Sequence, residues 1–190
     1  MEFYEVIYSR RAVRQYRPDP VPKEVLQKIL DAANWAPSGM NRQQWYFIVV
    51  SGEKIKELGA SYAKIAERYT ARWDDAERRR QFIDFASTYG GAPVVIVALT
   101  DAAEDPATRK MNLESVSAAF ENLLLAARAE GLGSCWMTGP LQDEASLRKI
   151  LNIPDNKEIV AVTPIGYPAV QPPAPPRLDP ELKEKVIWVE

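Results

Sequence analysis

From Leu113 onward, apolar residues recur at spacings of three and four: Val116, Ala119, Phe120, Leu123, Leu124 and Ala127. That period belongs to an α-helix. Ala118, Leu125 and Ala129 add apolar surface on the far side. Glu114, Glu121 and Arg128 recur every seven residues and confine charge to one narrow stripe. A helix apolar nearly all round is buried on most of its faces. In a chain this short, the pattern suggests a central helix shared between a core and a partner subunit. Gly131 stops it, as a C′ glycine does. Residues 133–137 then read as a short buried strand, and Thr138-Gly139-Pro140 turns the chain away.

The same reading orders the rest. Phe3, Val6 and Ile7 predict a short amphipathic helix ending near Ser9. Pro18, Pro20 and Pro22 prevent helix in the next turn. A helix follows from about Lys23 to Trp35, and Pro37 ends it, because the residue before a proline avoids helical angles. Residues 45–50, WYFIVV, form a continuous apolar run of strand length. Residues 53–89 predict two helices, with the charged run RWDDAERRR at 72–80 as the bend between them. Residues 92–99 are apolar on both faces and β-branched, the clearest strand of the sequence. Residues 100–110 read as a polar connection. Asp143 caps a short helix carrying Leu147, Ile150 and Leu151, and 158–165 is a further strand. Prolines crowd residues 168–180 into a stiff, extended arm. The tail ends in apolar Val186-Ile187-Trp188, which needs a surface to bury against, on this chain or another. Mixed helices and buried strands give α/β or α+β architecture. No repeat or linker divides the chain, so residues 1–190 form a single domain.

Composition narrows the chemistry. The chain has no histidine, which removes Ser-His-Asp and Cys-His catalysis and histidine metal sites. Its single cysteine, Cys135, excludes an internal disulfide and argues against a thiolate metal cluster, so no metal site is expected. The net charge of −2 gives no overall field for nucleic acid. No apolar run approaches the roughly 20 residues of a membrane helix, and no signal peptide shows. The expectation is a cytoplasmic protein without nucleic-acid or membrane partners. If it is an enzyme, a cofactor carries the difficult chemistry.

Two stretches carry candidate chemistry. In SRRAVRQYR, residues 9–17, Arg10, Arg11, Arg14 and Arg17 crowd together in a slightly acidic protein. Guanidinium groups match phosphate in a two-toothed geometry. A solvated basic edge paired with scattered carboxylates is the alternative at this point. The polar loop from Pro37 to Gln44 feeds directly into a strand, a good place for binding groups. Its Ser38, Asn41 and Gln43 offer neutral donors and acceptors that suit a heteroaromatic ring, or simply a solvent-facing turn. Residues 131–133 are no dinucleotide fingerprint, because they follow a helix and no third glycine opens a new one.

Together, SRRAVRQYR, APSGMNRQQW (36–45), GLGSCWMTGP (131–140) and IGYP (165–168) resemble the flavin-dependent nitroreductase family, in the right order and over nearly the whole chain. The resemblance implies an α+β fold, a mixed sheet flanked by helices, in an intertwined homodimer with FMN at the interface. It implies that Arg10, Arg11 and Arg14 hold the phosphate and part of the flavin ring, with Ala12 where a serine is usual. It places Pro37, Ser38, Gly39, Asn41 and Gln43 at the flavin of the partner subunit, with Gln44 replacing the usual proline. Backbone at Trp136, Met137, Thr138 and Gly139 corresponds to the strand near flavin N5, and Arg177 to a late basic residue that meets the phosphate.

The implied activity is that of an FMN-dependent oxidoreductase. NADH or NADPH delivers a hydride to the flavin, and an electron-poor small molecule such as a nitroaromatic or quinone is then reduced. In this reading a backbone N–H near Thr138 holds N5, and Arg14 stabilises negative charge at the N1–O2 edge. No side-chain acid is assigned. A reductive dehalogenase or flavin-fragmenting enzyme, a flavin-binding sensor without turnover, and a non-flavin dimeric scaffold remain as rivals. Residues 60–90 carry Tyr62, Tyr69, Trp73, Phe82, Phe85 and Tyr89 outside every flavin motif. They form either a lid that sets acceptor choice or a plain helical hairpin.

Overall fold

The central strand β2, Val94–Asp101, alternates its side chains between two separate apolar cores. Val95, Val97 and Leu99 face one, and Val94, Ile96 and Ala98 face the other. This is why the strand is apolar at every position: a strand covered on both faces has no polar side to show. The computed structural model describes residues 2–190. Its sheet has the order β1-β2-β4-β3, with β1 at Trp45–Ser51, β3 at Gly133–Ser134 and β4 at Lys157–Gly166. All three strand pairs are antiparallel, with Val97 opposite both Ile48 and Val162. The expected mixed sheet is therefore corrected to an antiparallel one. Its only parallel pairing among the described residues is the isolated bridge between Ala12 and Ser134.

Helices cover both faces, giving an α+β fold. On one side lie α2 (Lys23–Asn34) and α5 (Pro106–Ala129). On the other are α3 (Glu53–Tyr69), α4 (Ala76–Thr88) and α6 (Glu144–Leu151). The short α1 (Phe3–Ser9) buries only Val6. The long helix starts seven residues before the expected Leu113. Asp105 accepts a hydrogen bond from the Thr108 N–H at 2.8 Å, and Pro106 occupies the first turn. Both are ordinary start signals, masked by the polar Thr108–Lys110 that follows. Its end is as expected. Gly131, at φ 76°, lets Leu132 N–H reach the Ala127 carbonyl and Gly131 N–H the Arg128 carbonyl, a Schellman closure.

Two further boundaries differ. The strand expected at 133–137 pairs as a strand only through Ser134 and returns to β4 at Met137. Half of the charged run at 72–80 is helix, because Asp75 caps α4 by accepting from the Arg78 N–H. Tyr89 then leaves the helix in the left-handed region. The apolar tail is exposed at Ile187, Trp188 and Val189. No helix among the described residues is long and apolar enough to cross a membrane.

Candidate functional site

The arginine-rich stretch leaves α1 as extended chain, tied to its neighbours by isolated bridges at Ala12 and Tyr16. Val13 and Tyr16 are buried, while Arg14 and Arg17 point outward. Three backbone bonds of 2.9 Å stitch the segment down: Val13 N–H to the Ser134 carbonyl, Tyr16 N–H to Gly90, and Arg17 N–H to Tyr167. Gly90 is required at the second of these. A β-carbon there would overlap the Arg14 carbonyl and stand 3.2 Å from the Phe85 ring, and its φ of 68° is left-handed.

The four arginines divide by partner. Arg17 pairs with Asp19 at 3.1 Å, and Arg10 reaches Glu121 at 3.8 Å. Among the described residues, Arg11 donates only to the Tyr8 and Arg10 carbonyls at 2.7 Å, and Arg14 only to the Ala12 carbonyl at 3.5 Å. Neither Arg11 nor Arg14 has a carboxylate partner among the described residues. A solvated edge neutralised by carboxylates accounts for half of the cluster and leaves Arg11 and Arg14 available to an anion. Ala12, where a serine was expected from the resemblance, packs its methyl against the core.

The Ala12–Ser134 bridge brings this segment beside residues 134–139. Met137 is pinned to β4 by reciprocal 2.9 Å bonds with Val162. Trp136 lies edge-on to Phe120 of α5, ring centres 4.7 Å apart. Thr138 is exposed, and its amide N–H has no hydrogen bond among the described residues. Gly139 abuts Tyr62, whose hydroxyl would stand 2.9 Å from a β-carbon at that position. Cys135 is buried, and burial pushes its thiol up while Arg14 and Arg10 act the other way. Its N–H donates to the Thr163 hydroxyl at 3.1 Å, so it is structural in its contacts.

The loop after α2 stands elsewhere. Gly39 N–H donates to the Ser115 hydroxyl at 3.2 Å and packs on Met111, in the first half of α5. Arg128, near the end of α5, donates to Ser9 beside the arginines. At 1.5 Å per residue, Ser115 is about 20 Å along the helix from Arg128 but only about 9 Å from Glu121, the contact of Arg10. Among the described residues no hydrogen bond or ion pair joins Pro37, Ser38, Gly39, Asn41 and Gln43 to the arginine segment. Met40, Asn41 and Gln43 all have positive φ near 53°, an arrangement that costs energy in non-glycine residues and clusters at functional sites. Ser38 and Asn41 brace it: the Ser38 hydroxyl accepts from Gln43 N–H at 3.0 Å, and the Asn41 side chain accepts from the Gln43 amide at 3.1 Å. Gln44, the last residue of the expected polar loop, is buried and donates to Asn112 and Ser115. Arg177 is exposed on the arm and joins no ion pair among the described residues.

A cavity of about 680 Å³ opens beside Arg14, walled by Tyr69, Trp73, Phe82 and Phe85, with Arg78 and Asp84 also on its lining. A smaller one of about 270 Å³ adjoins Gly139, and Tyr69 and Phe82 line both. Tyr69, Trp73, Phe82 and Phe85 are among the aromatics that sequence reasoning named in this region. Arg78 was not named, because a charged run carries no signal of which member faces a cavity. Among the described residues no cluster of His, Cys, Asp and Glu could hold a metal ion.

Comparison with known proteins agrees with the resemblance. Residues 7–167 match the nitroreductase family model. The chain is 33% identical over 191 residues to a "Putative NADH dehydrogenase/NAD(P)H nitroreductase" of Methanothermobacter thermautotrophicus, covering 99% of this chain and 88% of the relative. It is 31% identical over 188 residues to the iodotyrosine deiodinase of Thermotoga neapolitana, covering 92% of each. A nitroreductase with bound FMN from Desulfitobacterium hafniense superposes with a TM-score of 0.76 at 25% identity, covering all of both chains.

Proposed function

We propose that this chain, which belongs to the nitroreductase family, is an FMN-dependent oxidoreductase that uses NADH or NADPH to reduce an electron-poor small molecule. The observation that carries the reading is one juxtaposition. Arg11 and Arg14, without carboxylate partners, lie on a segment hydrogen-bonded to the strand that leads to the free amide of Thr138. That donor set fits FMN, a phosphate dianion joined to a ring that accepts hydrogen bonds. FMN-bound relatives support the choice of cofactor.

Bound FMN would supply the hydride chemistry that no side chain of a histidine-free protein can. Arg11 would hold the phosphate, joined by Arg10, whose 3.8 Å contact with Glu121 is too long for a hydrogen bond and leaves its N–H groups available. Arg14 faces the ring and the cavity, where its fixed charge stabilises electron density gained on reduction. The Thr138 N–H donates to the ring edge, and reciprocal Met137–Val162 bonding keeps that amide from shifting. Ser38, Asn41 and Gln43 reach the flavin of a second subunit, and Arg177 meets the phosphate. This homodimer reading draws support from the lack, among the described residues, of any hydrogen bond or ion pair between the 37–43 loop and the chain's own arginine segment. It also draws on the exposed Phe3, Tyr4 and Tyr8 of α1 and on the exposed tail. The α3–α4 pair serves as the lid over the acceptor.

A second reading, reductive removal of halide from an aromatic ring, is favoured by the 31% identity to a deiodinase. Two measurements separate the readings. The absorbance spectrum of the purified protein, with the released flavin identified, should show FMN. Steady-state NAD(P)H consumption should respond to an added nitroaromatic or quinone. Halide release from a halotyrosine in place of nitro reduction would favour the second reading, and a colourless protein indifferent to FMN would overturn both.

A further inference from the structure

The larger cavity has a chemistry beyond that of a neutral aromatic slot. Its walls are four aromatic rings in mutual contact: Trp73 lies 5.8 Å from Tyr69 and 5.6 Å from Phe82, and Phe82 lies 6.4 Å from Phe85. Planar molecules stack on such walls. The lining charges are two guanidiniums, Arg14 and Arg78, and one carboxylate, Asp84. Arg78 differs from its neighbour on α4. Arg80 is paired with Glu77, whereas the Arg78 guanidinium has no carboxylate partner among the described residues. Asp75, the nearest acid in sequence that contacts Arg78, is engaged by its backbone N–H as the helix cap. Instead the guanidinium lies over the Trp73 ring, 4.7 Å from its centre. Stacking on an indole restricts the side chain and leaves its planar N–H fork free for a second partner.

The geometry points to a planar aromatic acceptor that carries a carboxylate, anchored by Arg78, as the substrate class of this cavity. The ring stacks among Tyr69, Trp73 and Phe82. The carboxylate meets the guanidinium fork two-toothed, as planar carboxylates do. Asp84 repels the carboxylate from its own part of the lining, so one orientation of the ligand is preferred. Arg78 thus determines specificity and performs no chemistry.

The inference deepens the flavin reading, and its test is a binding measurement that needs no turnover. Isothermal titration of the protein as purified, without NAD(P)H, compares 4-nitrobenzoate with the isosteric, neutral 4-nitrobenzamide at low salt. The benzoate should bind about tenfold more tightly, as one charge-assisted pair allows. Arg78→Gln should close that gap and leave the benzamide affinity in place. Arg80→Gln, at a paired arginine outside the cavity lining, should preserve it. Equal affinities in the wild type, a gap that survives Arg78→Gln, a gap that Arg80→Gln also closes, or binding of neither compound would each overturn the assignment. A protein that binds the benzoate as described yet reduces nothing would strike the flavin function and leave this inference standing.

Discussion

Gly90→Ala should destabilise the protein and loosen the flavin site together, whereas Gly131→Ala should do only the first and more mildly. Both glycines have left-handed φ, 68° and 76°. A β-carbon in that region costs roughly 1–2 kcal/mol, offset by about 0.4–1 kcal/mol because alanine also restricts the unfolded chain. At Gly131 nothing lies within 4 Å, so that difference is the whole effect. At Gly90 the added carbon collides with the Arg14 carbonyl, which is backbone and has no rotamer to escape into. The segment must retreat from α4, and the 2.9 Å bond from Tyr16 N–H to Gly90 lengthens or breaks. One hydrogen bond contributes about 0.5–1.5 kcal/mol, so Gly90→Ala should exceed Gly131→Ala by about 1 kcal/mol or more. Urea midpoints at constant slope measure the first quantity, and flavin fluorescence titration the second. FMN should weaken in Gly90→Ala, because Arg14 moves with its own carbonyl, and not in Gly131→Ala. Equal destabilisation, or a Gly90→Ala protein with unchanged FMN affinity, would refute the claim that the end of α4 positions Arg14.

Burial pushes the Tyr62 hydroxyl up to about 12 and raises Tyr16 and Tyr89 as well. The folded protein keeps protons that the unfolded chain releases near pH 10, so stability present below that pH should be lost as pH climbs toward 12. Tyr62→Phe should make that decline shallower, and an unchanged decline in urea midpoint against pH would contradict the assignment. Leu124 is buried in the chain's own core, so a charge there reports on folding, but Leu125 is only half-buried. Leu125→Glu should therefore lower dimer content and FMN binding in light-scattering and titration experiments, and a wild-type monomer that retains flavin would end the dimer proposal. Trp73→Ala should change the ratio of kcat/KM between a nitroaromatic and a quinone while FMN affinity holds. A parallel loss of both acceptors and flavin would make Trp73 structural.

What could be read from the chain depended on how local its cause was. The β2 strand and the closure at Gly131 were legible because side-chain period and one left-handed residue determine them. The early start of α5 at Pro106 carried its own signal in Asp105-Pro106, but amphipathic periodicity begins only where the helix meets the core. The buried polar Asn112 and Ser115 carry no local signal of their partner, because Gln44 donates to them from 68 and 71 residues away in sequence. The strand at 133–137 was overextended because burial of Cys135 and Met137 gives the same apolar run as strand pairing, while only Gly133 and Ser134 pair as a strand. Within the site, an arginine cluster is visible in any sequence. Which of its members lack a carboxylate is a fact of tertiary structure, and so is the placing of Arg78 over Trp73.

The most direct test of the central claim compares FMN with riboflavin, which differs only in lacking the phosphate. If Arg10 and Arg11 hold that phosphate, each charge-assisted bond contributes about 1.5–3 kcal/mol. FMN should then bind the wild type far more tightly than riboflavin, and Arg10→Ala should weaken FMN about tenfold or more while leaving riboflavin nearly unchanged. Equal affinity of the wild type for the two flavins would contradict the assignment of the arginine segment as the phosphate site.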